Sequence, residues 1–274
     1  RYFQFPDASR IFLMTGMAAG FAGLFQTPLA ATFFALEVLT VGELQLMALY
    51  PALIASIVAS FTSHALGLEK FAVPLRETLS WTPETLIKVA LLGLAFGLAG
   101  KLFAVSLSWL KKTVAQVLPN PYTRIALIGA GLSLVLLTLQ LTKVGTYSGL
   151  GTNLIDVAFH QGSAHSYDWI LKLLFTVVTI SAGYQGGEVT PLFAIGATLG
   201  VFLAPMLGLP VLVVAAIGYA SVFGSATTTL LAPILIGGEV FGYGNLPFFV
   251  IACAIAYCLP KEWSIYSGQK VAKK

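Results

Sequence analysis

Charge is what this sequence has least of. Only 9% of its 274 residues are Asp, Glu, Lys or Arg, where an ordinary soluble domain carries about a quarter. So little charge cannot clothe a water-facing surface, and a free-standing soluble globule is excluded. Cysteine is nearly absent as well: Cys253 and Cys258 lie five apart within an apolar run, in no metal spacing, and read as small buried residues. The three histidines, His64, His160 and His165, fall in or beside polar loops and read as surface residues without ligand spacing. There is no HExxH pair, no GxSxG elbow and no second acid beside the lone acid of the longest apolar region, which leaves an intramembrane enzyme built on that acid, Glu188, without a catalytic partner. Lacking too are a signal peptide and an initiator Met. The chain opens on RYFQFPDASR, mid-domain in character, and is expected to be a piece of a longer protein.

What remains is hydrocarbon-like. Hydrophobic residues make up 57% of the chain, and the mean hydropathy is +0.88. A helix needs roughly 20 apolar residues to cross a bilayer core, and uncharged runs at 11–36, 44–68, 125–142, 189–238 and 240–260 reach about that length. The fourth must hold more than one helix. These runs predict an all-α polytopic membrane protein. The net charge of +4 gathers at edges, in Arg1, Arg10, Lys111, Lys112, Lys261, Lys270, Lys273 and Lys274, a membrane pattern rather than a nucleic-acid footprint. The basic tail argues for a cytoplasmic C-terminus.

Residues 183–200, GYQGGEVTPLFAIGATLG, organise the rest. Between Leu173 and Gly238 the only charged residue is Glu188, and an ionisable group in so apolar a setting is costly to keep charged, which marks it as functional. Gly183, Gly186 and Gly187 let the backbone turn, and Thr190-Pro191 starts a helix, since proline is tolerated in a first turn. The turn thus delivers a helix N-terminus, whose unpartnered N–H groups and partial positive charge hold a dehydrated anion without Lys or Arg. Half-helices that end near mid-membrane recur in transporters. The plainer alternative, in which Glu188 only caps this helix and the glycines serve packing, explains less, because a cap can sit at a wetter helix end.

Asp7-Ala8-Ser9 offers N-cap residues to a helix at 11–25, where Gly16, Gly20 and Gly23 would allow close helix contacts. Gln26-Thr27-Pro28 breaks it, a short helix runs on to Leu39 with Glu37 near its end, and 44–68 spans again. The loop 67–83, with Glu69, Lys70, Arg76 and Glu77, reads as solvated. From Pro83 to Val117 a long helix is expected, with Lys88 and Lys101 extending toward the interfaces; Pro119-Asn120-Pro121 closes it, and 122–141 crosses again. A Gly-rich polar stretch from Val144 leaves room for a short helix near 152–159, and 169–181 leads into the central turn. Beyond that turn, helices at 210–223 and 227–238 echo the start: GFAGLF at 20–25 matches GYASVF at 218–223, and after a shift of four residues Glu37-Val38 matches Glu239-Val240. Such an echo fits an inverted repeat. The last apolar run, 247–259, precedes a basic tail containing Tyr266.

GGEVTPLFAIGATLG resembles the second selectivity motif of the CLC anion channels and antiporters, GGxFxP, and its Glu-Val-Thr resembles the fluoride-handling CLC-F branch. GMAAGFAGLFQTPLAATFFALE resembles the family's AxxAxAFNAPLAGxxFxxE, and IYSGQ at 265–269 resembles its anion-facing tail. The resemblance covers essentially the whole chain and implies a partial CLC-like inverted repeat of tilted and broken helices. Residues 1–68 would end the first repeat, 69–82 form a polar loop, 83–259 make the second repeat, and 260–274 form a C-terminal helix or tail lining the inner anion path. By the same resemblance the front of the first repeat, with the external gating glutamate, is expected to lie outside this sequence, and without it the piece is not expected to fold stably alone.

The resemblance implies a fluoride/proton antiporter that exports fluoride across the bacterial inner membrane as a multi-pass homodimer, with a pore in each subunit and no cofactor. Its partners would be fluoride, protons and the bilayer. A CLC-like chloride transporter or passive chloride channel is the alternative, and Glu-Val-Thr, where chloride members usually carry apolar residues, separates the two. By the same resemblance Gly187, Val189 and Thr190 line the central site and Tyr266 points its O–H into the inner path. Fluoride is small and tightly hydrated, so stripping its water demands strong hydrogen-bond donors, and Thr190 fits that demand. Glu188 is assigned a share in coupling proton movement to anion movement. The internal proton-transfer position of chloride/proton exchangers is Val38 here, as befits CLC-F, and Glu37 and Glu239 are expected to meet water or to cap neighbouring helices.

Overall fold

The computed structural model describes residues 7–141 and 147–272. Arg1, Lys273, Lys274 and the start of the Gly-rich stretch at Val144 therefore lie outside the described residues. Within them the chain forms eleven α-helices: α1 (Ala8–Phe25), α2 (Pro28–Glu37), α3 (Leu49–Ala65), α4 (Pro83–Val117), α5 (Pro121–Leu141), α6 (Thr152–Asp156), α7 (Asp168–Ala182), α8 (Val189–Leu207), α9 (Val211–Thr227), α10 (Leu231–Phe241) and α11 (Leu246–Tyr257). Five segments, α1, α3 with its leading turn, α4, α5 and α8, are long and apolar enough to cross a membrane. The protein is an all-α, multi-pass membrane protein.

Local chemistry sets the boundaries. Thr82 caps α4, its Oγ1 accepting the Thr85 N–H at 3.2 Å with Pro83 in the first turn. Gln26 ends α1 in the left-handed region, and Pro28 then opens α2. Asp7 stands before α1, but its side chain makes no capping bond.

The core is the α8–α9 crossing. Gly196 and Gly218 face each other so closely that a Cβ on either would collide with the other's backbone, and Gly200 lies equally tight against Val214 and Ala215. Close packing was expected of Gly16, Gly20 and Gly23 in α1 instead; there only Gly23 meets a neighbour, at Ser63 and Ala59 of α3. Phe193 of α8 stacks on Tyr219 of α9 with ring centroids 4.0 Å apart. Phe223 then reaches Phe34 and Phe21 at 5.7 and 6.1 Å, tying α9 to α2 and α1.

The echo in the sequence corresponds to two helix pairs, α1–α2 and α9–α10, joined through the acids at the ends of α2 and α10. Glu37 accepts the N–H groups of Leu230, Leu231 and Ala232, and Glu239 accepts those of Leu29 and Ala30. Both acids cap neighbouring helices, as expected, and both keep part of their surface exposed.

Several polar residues differ from their expected surroundings. Lys88 pairs with Glu84 at 2.6 Å near the start of α4, but Lys101 does not extend to an interface. It is 2% exposed, and its ammonium donates to Trp263 O at 2.8 Å and Thr228 Oγ1 at 3.1 Å, because the tail and the α9–α10 turn cover that face of α4. Segment 69–82 is irregular but not wholly solvated. Val73 and Leu75 N–H donate to Val240 O and Phe241 O, both at 3.0 Å, and Asn245 holds Leu79 N and Glu77 O, since backbone donors laid on an apolar helix end need partners. Cys253 is buried as expected, whereas Cys258 lies at the surface. His64, His160 and His165 are exposed.

The tail forms no helix up to residue 272. It is stitched across both halves instead: β2 (Lys270–Val271) pairs in parallel with β1 (Thr40–Val41). Gln269 Nε2 donates to Val38 O at 2.9 Å and Thr227 O at 3.0 Å, and Ile265 N donates to Ala226 O at 3.0 Å.

Candidate functional site

Gly183 closes α7 with φ 106°, a conformation that a glycine adopts without strain. The chain then turns through 184–188 and enters α8 at Val189, with Pro191 in the first turn. Glu188 stands at the N-cap position, yet its side chain makes no capping bond. No hydrogen bond ties the acid to the helix end it precedes.

Donors accumulate at that end. Among the described residues the N–H groups of Val189 and Thr190 donate to no protein acceptor, as the geometry of a first helical turn dictates. Mid-helix threonines here turn their hydroxyls onto a carbonyl four residues back, Thr176 at 2.7 Å and Thr198 at 2.8 Å. Thr190 is the second residue of its helix and has no helical carbonyl behind it. Among the described residues its hydroxyl has no protein partner.

Tyr266 approaches from the tail. It is half-buried, its ring set edge-on against Phe34 with centroids 6.3 Å apart. Burial first, and then the charge of Glu188, push its phenol well above the ordinary tyrosine range, so Tyr266 remains a protonated O–H donor. Among the described residues that hydroxyl also finds no protein acceptor.

Not all the expected residues share one cavity. Tyr266 lines a space of about 330 Å³ between α4 and the tail, with Lys111, Lys112 and Lys261 outweighing Glu262 in its walls. Gly187 lines a different space of about 420 Å³, between α5, α7 and the turn. Glu188, Val189 and Thr190 are half-buried and line neither. The arrangement sets uncharged N–H and O–H donors beside one unbonded carboxylate. That chemistry suits a small anion, held by donors, next to a group that takes and releases a proton.

Two buried cations went unmarked in the sequence as members of this region, Lys101 and Lys172. Lys172 of α7 is 1% exposed and donates to Gly149 O at 2.7 Å and Tyr147 O at 3.3 Å. The available signal was a lysine four residues after Asp168 in an otherwise apolar segment. Asp168, 4% exposed, accepts from Tyr147 O–H at 2.7 Å and from His165 N at 2.8 Å. Among the described residues no group of His, Cys, Asp and Glu is placed to hold a metal ion.

Comparison with known proteins gives one family. The family model described as "Voltage gated chloride channel" matches residues 1–261. The chain is 38% identical over 267 residues to a chloride/fluoride channel protein of Pseudomonas syringae pv. tomato, an overlap covering 96% of this chain and 58% of that protein. It is 26% identical to a voltage-gated ClC-type chloride channel, ClcB, of Salmonella typhimurium, covering 95% of this chain and 64% of the relative. The chain thus spans roughly three fifths of each of these relatives. Among solved structures, that of a CLC-type fluoride/proton antiporter matches with a TM-score of 0.92 at 55% identity, over 96% of this chain and 66% of that one. A slow cyanobacterial Cl⁻/H⁺ antiporter matches at a TM-score of 0.73 and 20% identity, over 92% of this chain and 61% of that one, which shows shared fold alone.

Proposed function

The chain belongs to the voltage-gated chloride channel family, and from that premise we propose that it is part of a fluoride/proton antiporter of the CLC type. The antiporter exports fluoride across the bacterial inner membrane, and it does so as a homodimer embedded in lipid with one pore per subunit. One observation carries the reading: the Glu188 carboxylate, which makes no capping bond, opens a helix end whose Val189 and Thr190 donors have no protein acceptor among the described residues. Gly187, Val189 and Thr190 at the helix end and Tyr266 in the tail supply donors along the anion's path, Gly187 and Tyr266 from separate spaces, and Glu188 takes part in proton coupling. Uncharged donors suit fluoride because its hydration must be replaced by equally strong hydrogen bonds. The fluoride named in two of the similar proteins supports the choice of ion.

Residues 1–68 and 83–259 act on this reading as the end of one repeat and the body of the other, with 69–82 between them and 260–274 along the inner path. The reciprocal caps of Glu37 and Glu239 support that pseudo-symmetry. Chloride transport is the second reading, favoured by the chloride channel named in the Salmonella relative. Full-length protein in liposomes, assayed for fluoride and chloride efflux with proton uptake, tests both. Fluoride preferred, with protons moving oppositely, is the expected outcome; equal passage of both anions without protons would contradict it.

A further inference from the structure

Lys172 is buried in the protein, yet its ammonium has only neutral oxygens as partners, Gly149 O and Tyr147 O. Among the described residues no carboxylate lies within 4.0 Å of it. Asp168, one turn earlier on α7, faces Tyr147 O–H and His165 N instead. Two carbonyls anchor residues 147–149 to the helix, but they do not neutralise a charge, and an uncompensated buried cation is expensive to keep.

Beside this cation lies the cavity of about 420 Å³, whose walls contain, among the described residues, Lys172 and no Asp or Glu. Gly186 and Gly187 line it as well, and among the described residues their N–H groups donate to no protein acceptor. Ser133, Ser148 and Gln185 add further polar groups. The volume far exceeds a bare halide and admits an ion with water around it, at roughly 30 Å³ per water. Among the described residues, a fixed positive charge with free amides and no acid beside it forms an environment selective for anions.

We propose that this cavity is a second anion position, in which Lys172 holds a small inorganic anion still partly hydrated, on the far side of Gly187 from the helix end that strips it. The inference rests on the transport reading above. It assigns Lys172 a role in anion affinity that anchoring residues 147–149 does not require.

The test uses the full-length protein, with isothermal titration of sodium fluoride and sodium chloride in detergent and initial rates of fluoride efflux from liposomes. Lys172→Met removes both charge and anchor, and Lys172→Arg keeps the charge. Gln185→Glu, at an exposed position of the turn, leaves the anchor intact and sets an acid in the cavity. Lys172→Met and Gln185→Glu should each weaken anion binding and raise KM about tenfold, a factor in keeping with a charge interaction inside protein, while Lys172→Arg stays near wild type. Unchanged anion binding in both would overturn the proposal. So would a loss confined to Lys172→Met with Gln185→Glu unaffected, because Lys172 would then be an anchor only. Should Lys172→Met fail to fold, Gln185→Glu decides alone. A wild type that binds anions in titration but moves no fluoride would contradict the transport reading, while the Gln185→Glu titration still decides whether the cavity is occupied.

Discussion

Glu37 and Glu239 cap each other's helices: the carboxylate ending α2 closes the start of α10, and the carboxylate in the last turn of α10 closes the start of α2. Each helix start has unpaired N–H groups and partial positive charge, and each helix supplies the acid its partner needs. The exchange gives the starts of two short helices the acceptors that their own first turns lack. It also fixes α2 and α10 in register, which holds the Phe34 and Phe223 rings together beside Tyr266.

Removing one cap should therefore destabilise the whole assembly. Glu37→Ala leaves three N–H groups without an acceptor, and unfolding of the full-length protein in detergent should show a loss of roughly 1–3 kcal/mol, the cost of unsatisfied buried donors. Glu37→Gln, which keeps an acceptor oxygen, should lose less. Equal midpoints for wild type and Glu37→Ala would contradict the capping account.

The α8–α9 crossing makes a different demand. Gly196→Ala places a methyl group against the backbone at Gly218, and overpacking of this kind costs about 1–3 kcal/mol or more. Gly16→Ala, with nothing within 4 Å of the new carbon, should leave thermal stability unchanged. A loss for Gly16→Ala equal to that of Gly196→Ala would show that the crossing is not where the fold is tight.

Much of this architecture was legible in the residues. Thr82-Pro83 and Pro119-Asn120-Pro121 bracket α4 by local cap and breaker chemistry, so its bounds follow from a few neighbouring residues. Glycines around Glu188 announced the helix end in the same way. What depends on contacts distant in sequence was not legible. The pairing of Thr40–Val41 with Lys270–Val271 involves two residues on each side, too short for any alternating pattern to mark. Lys101 is buried because the tail folds over it, which no feature of α4 itself reports. The separation of Gly187 and Tyr266 into two cavities likewise depends on how α5 and α7 stand against the turn.

Among the described residues no protein group uses the Thr190 hydroxyl. Thr190→Ala should raise the KM for fluoride roughly tenfold, as loss of a hydrogen bond to a charged partner does. Thr190→Ser keeps the donor and should stay within a few-fold of wild type. Initial efflux rates across a fluoride concentration series measure both. Identical KM values for wild type and Thr190→Ala would remove the hydroxyl from the anion site.

Tyr266→Phe separates the donor from the ring. The edge contact with Phe34 survives, so unfolding should be unaltered while fluoride affinity falls several-fold. If stability falls and affinity does not, Tyr266 is a packing residue.

The most direct test concerns Glu188 in the full-length protein reconstituted into liposomes, with fluoride efflux and proton uptake recorded together for wild type and Glu188→Gln. Wild type should prefer fluoride over chloride and move protons oppositely, and Glu188→Gln should abolish the proton movement or uncouple it from the anion. Coupled exchange that persists unchanged in Glu188→Gln would contradict a proton-coupling role, and would make the acid at the start of α8 a structural residue.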